Sequence, residues 1–119
     1  MLDLASACCI IERMGVNEKV IEQIVRRVTS VVRAERIILF GSAASAQMSR
    51  DSDIDLLIIE QDVADPWGER LRIRQALRGI EYPFDIMLMT QQRFEETKGV
   101  IGGIAYPADK QGIVIYEAA

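Results

Sequence analysis

The chain has 119 residues, half of them apolar, with a formal charge of −4 and no histidine. That length suits a single domain with its own core, and the missing histidine excludes zinc–histidine centres and histidine-based triads. An acidic balance with 6% aromatics also argues against a general nucleic-acid binder, which needs a basic patch and stacking rings.

Residues 2–14 predict a short helix ended by Gly15, with Leu4, Cys8 and Ile11 on one face. It reads as an appended element over residues 1–15, packing on the domain or on a second copy, with one domain spanning 1–119. Adjacent Cys8 and Cys9 diverge by about 100° on a helix and suit a reduced, buried role rather than a disulfide. The N-terminus lacks the basic-then-apolar order of a secretory signal, and no apolar run is long enough to span a membrane. A cytoplasmic protein without membrane contact is therefore expected. Asn17 suits the N-cap of a second helix, where Val20, Ile21, Ile24, Val28, Val31 and Val32 form an apolar stripe. Glu22 and Arg26 stand four apart in the favourable order. These features predict packing, not chemistry.

The stretch from Arg36 to Glu60 is different. Ile37 to Phe40 is an apolar run short enough for a buried strand, and it breaks at Gly41-Ser42 into a small polar loop. A second apolar run, Ile54 to Ile59, is entered through Asp53 and Asp55. Residues two apart in a strand share a face, so the two carboxylates point one way and Ile54 and Leu56 the other. Like charges side by side raise each other's pKa unless something positive intervenes, and a hard divalent cation does so. Gly41-Ser42 after a strand offers free amides and a hydroxyl to phosphate oxygens. The stretch reads as half of a metal–triphosphate site. A solvated turn at a strand start is the other reading of Asp-Ser-Asp.

Gln61 to Asp65 predicts a polar loop, and Pro66 a first helical turn. The helix that follows, to about Gly79, turns Ile73, Leu77 and Ile80 inward. Arg70, Arg74 and Arg78 line up at four-residue spacing, either as a solvated stripe or as a surface for an acidic partner or a phosphate. Pro83 holds its predecessor extended, and Phe84 to Met89 predicts a strand with Asp85 as a charged anomaly. Alone, Asp85 is equally an edge-strand residue facing water or a functional one. Thr90 suits a helix cap; glycines at 99, 102 and 103 and Pro107 then imply a broken helix and loop, before a last strand at Ile113 to Tyr116.

Gly-Ser, ten residues, then Asp-x-Asp running into an aliphatic strand resembles the signature of the nucleotidyltransferase superfamily that includes DNA polymerase beta. The order of elements is most similar to its minimal members, the MNT proteins, which partner HEPN-domain proteins. The resemblance implies an α/β (α+β) fold with a mixed sheet of about four strands and helices mainly on one face. It implies Asp85 as a third carboxylate beside Asp53 and Asp55, the three being both catalytic and metal-binding, with Asp55 bridging two Mg²⁺ ions (Mn²⁺ being an alternative). Asp85 would hold the catalytic metal and accept the acceptor's proton, and Gly41 and Ser42 would bind the nucleotide phosphates. ATP is the implied substrate, and the acceptor is a tyrosine of a HEPN toxin, silenced by AMP. Where family members carry a basic residue and a glycine, this loop has Ser45 and Ala46 in Ala43-Ala44-Ser45-Ala46, with Arg50 the nearest cation. Two alternatives therefore remain: a binding-only antitoxin or adaptor with a degraded site, and a small-molecule (antibiotic) nucleotidyltransferase completed by a second subunit. A homo-oligomer stays open.

Overall fold

In a computed structural model, residues 18–41 and 53–118 are described. The N-terminal helix with Cys8 and Cys9, the Asn17 cap, Ser42, the loop with Ser45 and Ala46, and Arg50 lie outside the described residues. The elements are α1 (Glu18–Val31), β1 (Arg36–Phe40), β2 (Ile54–Glu60), α2 (Pro66–Ala76), β3 (Phe84–Thr90), α3 (Gln91–Thr97), α4 (Ala105–Gln111) and β4 (Ile113–Glu117). One four-stranded sheet has the order β3-β2-β1-β4. β1 runs antiparallel to both β2 and β4, whereas β2 and β3 are parallel. A parallel pair needs a crossover, and α2 supplies it. This is the expected mixed sheet.

Strand alternation sorts the apolar residues into two cores. On one face Ile37, Leu39, Ile54, Leu56, Ile58 and Ile86 meet Ile21, Ile24 and Val28 of α1 and Ile73 of α2, with Leu77 just beyond. Arg27 of α1 donates from Nη1 to the carbonyls of Ala76 and Arg78, satisfying acceptors that the end of α2 leaves open. It is this neighbour of Arg26 that makes a cross-helix contact; among the described residues Glu22 and Arg26 form no ion pair. The helix after Pro66 stops at Ala76, three residues short of Gly79, while Asp65 accepts a hydrogen bond from the Gly68 amide as its N-cap.

On the other face Ile38, Phe40, Leu57 and Ile59 meet Phe94, Ala105 and Ala108. The two helices here have only seven residues each, too few to persist alone. They are the pieces of the broken helix, held by burial of Phe94 and the two alanines and, for α3, by Thr90, whose hydroxyl accepts from the Arg93 amide. Helical mass thus lies mainly on the α1–α2 face, and the opposite face is partly open.

Glu60, at the end of β2, is the one buried charged side chain among the described residues, 3% exposed. Burial first, then a shared hydrogen bond with Glu69 and that group's charge, push its carboxyl up to about 7; Arg72 opposes the shift. A carboxyl whose pKa is raised on folding stabilises the native state below its unfolded value, and that stability is lost as pH rises through the folded one. Melting temperature should therefore fall between about pH 5 and pH 8. Glu60→Gln, which keeps a donor toward Glu69 without a charge, should flatten that slope and gain about 2 kcal/mol at pH 8, measured by thermal unfolding across the range.

Candidate active site

The topology collects four chain points at one end of the sheet. β1 ends there, and because β2 and β4 run antiparallel to it, both start there; β3 starts there too, parallel to β2. Asp55 and Asp85 are register partners, so their Cα atoms stand side by side at strand spacing, about 4.8 Å. Phe40 is partner to Asp55 on the other side. Alternation puts Asp55 on the same face as Leu57 and Ile59, the partly open one. Asp53 immediately precedes β2 and, like Asp85, is exposed, whereas Asp55 is half-buried.

Electrostatics report the same convergence. The Asp55 carboxyl is pushed above its ordinary range by burial first, then by the charge of Asp85, then by that of Asp53. Two carboxylates from two strands and one from the preceding residue therefore act on one another. As the side chains stand, no three acidic groups among the described residues converge tightly enough to enclose an ion. The donors are all hard oxygens, with Asp55 and Asp85 on one face of the sheet, and their chemistry suits Mg²⁺ or Mn²⁺ over a soft metal.

Gly41 contributes something the sequence does not display. Its φ is +71°, in the left-handed region where glycine is at ease. A Cβ there would collide with Oδ2 of Asp55 and come within 3.1 Å of its Cγ. The bend after β1 is thus the floor under the central carboxylate as well as a source of amides. The signal that could have found this is the strand–glycine break, but the partner across the sheet needs the register. Ser42 falls outside the described residues.

No curated protein matches the sequence. Solved structures do resemble the fold. A mutant of the toxin–antitoxin MntA–HpeT has TM-score 0.65 at 17% identity, covering 87% of this chain and 75% of that one. A tri-AMPylated Shewanella oneidensis HEPN toxin in complex with MNT antitoxin gives TM-score 0.60 and 17% identity, over 85% and 72% of the two chains. A toxin–antitoxin with AMP-PNP gives 0.58 and 18%, over 82% and 73%. At such identities these likenesses bear on the fold alone. The family profile described as "Polymerase beta, Nucleotidyltransferase" matches residues 19–119, nearly the whole chain, and the chain belongs to that nucleotidyltransferase family.

Proposed function

We propose that this chain transfers AMP from ATP to a hydroxyl, a tyrosine of a HEPN-type partner protein, and so acts as an antitoxin. The observation that carries the reading is the side-by-side register of Asp55 and Asp85 over the Gly41 bend. Support for the partner comes from a relative of the same fold that is an MNT antitoxin in complex with an AMPylated HEPN toxin; a second relative with AMP-PNP supports the nucleotide.

Asp53, Asp55 and Asp85 would hold two Mg²⁺ ions, which supply charge neutralisation at the attacking and leaving oxygens. The chain's own residues do the rest. A carboxylate oxygen of Asp85 accepts the proton of the acceptor hydroxyl as the new oxygen–phosphorus bond forms. The bond between the α- and β-phosphates breaks, and pyrophosphate leaves. The Gly41 amide and the Ser42 hydroxyl hold the terminal phosphates, keeping the leaving group in line.

One observation favours a second reading: Ser45 and Ala46 put no positive charge on the phosphate loop, which suits an antitoxin that neutralises by contact. ATP labelled at the α-phosphate separates the two. With Mg²⁺ and a HEPN-domain protein, the label and the mass of AMP should appear on a partner tyrosine and vanish with chelator. Neutralisation of the partner without label establishes contact alone.

A further inference from the structure

We propose that the outer face of α2 is the docking surface for the acceptor protein, and that it receives an acidic amphipathic helix. The inference rests on the functional reading only in taking the acceptor as the occupant.

The inner face of α2 is spent on Ile73, with Leu77 following it into the core. On the opposite side Trp67 is 78% exposed and Leu71, one turn later, 52% exposed. Together with Arg70 and Arg74 they line a cleft of about 90 Å³. That volume suits an apolar side chain, and tryptophan with arginine is the pairing that dominates binding energy at protein interfaces. Isolated exposed leucines are ordinary, but a large indole set beside a leucine and two guanidinium groups is a patch.

Charge selects the occupant. The whole chain carries −4, yet the helix and its following turn present Arg70, Arg72, Arg74 and Arg78. The acid among them, Glu69, faces buried Glu60 and helps to raise its pKa. Among the described residues Arg70 and Arg74 make no ion pair. An isologous contact with a second copy would set these arginines against themselves. A helix with apolar residues four apart and glutamates beside them matches the stripe. Topology then links the surface to the chemistry. α2 returns the chain from the end of β2 to the start of β3, so Arg74 in its last turn lies toward the sheet end carrying Asp85 and Trp67 in its first turn toward the other end. A partner seated on the whole stripe reaches the Asp85 end around the sheet edge.

Trp67 is the only tryptophan of the chain, so 5-fluorotryptophan labelling gives one ¹⁹F resonance reporting on this face. A HEPN-domain protein from the source genome is titrated in while its affinity is measured by calorimetry. The resonance should shift or broaden to saturation, and quenching of the Trp67 fluorescence by iodide should fall. Arg74→Glu and Trp67→Ser should each weaken binding by about tenfold or more, with ATP affinity and melting temperature unchanged. Binding with the resonance unmoved and both variants at wild-type affinity overturns the docking surface, as does the absence of binding. A shift that follows the concentration of this chain alone assigns the face to self-association and overturns it too. AMP transferred with the resonance still defeats the docking surface and leaves the transferase. A moving resonance without AMP on the partner does the reverse.

Discussion

Asp55→Asn is expected to lower AMP transfer by about three orders of magnitude while making the metal-free protein more stable. The size follows from electrostatic preorganisation, where loss of a single group aimed at developing charge costs about 10²–10³ and a shared metal ligand more. Asparagine keeps the shape of the side chain but gives up the charge. The stability gain has the opposite origin. Burial, and then Asp85 and Asp53, hold the Asp55 carboxyl above its ordinary range, so its charged form is disfavoured in the fold. A group raised in this way stabilises the native state only at pH below its unfolded value, and its contribution is lost as pH rises through the folded one. Without metal at pH 8, the asparagine variant should therefore gain a few tenths to about 1 kcal/mol, a figure kept small because the site is open to solvent. Near pH 3.5 the two proteins should melt together. Mg²⁺ reverses the order, since a ligand that binds the native state raises stability by mass action, and it does so for the wild type and not for the variant. Calorimetry with and without Mg²⁺, beside label transfer, reads all three outcomes. Transfer within tenfold of wild type would remove Asp55 from the centre of the site.

The strands were legible because their apolar runs are short and bounded. Ile37 to Phe40 ends at a glycine, and Ile54 to Ile59 begins at paired acids, and both lie where the residues predict. The period of two likewise settled that Asp55 faces away from Ile54 and Leu56, both buried in the core beneath α1 and α2. Sheet order was not legible in the residues: nothing local says that Phe84–Thr90 joins the edge beside β2 in parallel, and that pairing is what sets Asp85 beside Asp55. The residues alone left Asp85 open between solvent and site; the family resemblance proposed the association, and the register supplies it. Glu60 escaped notice for the same reason. A glutamate ending a strand looks solvated, and only the tertiary packing that buries it and brings Glu69 of α2 beside it raises its pKa. The glycines between α3 and α4 announced an interruption, yet the two seven-residue helices exist through Phe94, Ala105 and Ala108, contacts made with the sheet and invisible to helix propensity.

Gly41→Ala should separate site from fold in a way that no change to a carboxylate can. Two penalties meet at this residue. Its φ of +71° costs an L-residue about 1–2 kcal/mol, which appears as lost stability in denaturant titration. The added Cβ also collides with Oδ2 of Asp55 and presses on its Cγ at 3.1 Å, while the Cβ of Asp55, at 3.6 Å, is in ordinary contact. The cheapest relief is to turn the carboxylate, the far end of a short side chain, and leave both strands in place. The collision is thus discharged on the site and adds little to the unfolding cost. Misplacing a reacting group by about 1 Å loses roughly 10² in rate, so transfer should fall by about two orders of magnitude with Mg²⁺ affinity reduced. Gly41→Asn tells the two penalties apart, because asparagine visits the left-handed region with less strain yet still carries a Cβ. Its stability should return most of the way to wild type while its transfer rate stays at the alanine level. If the asparagine variant instead turns over like wild type, the bend serves backbone conformation alone, and its closeness to Asp55 has no part in the chemistry.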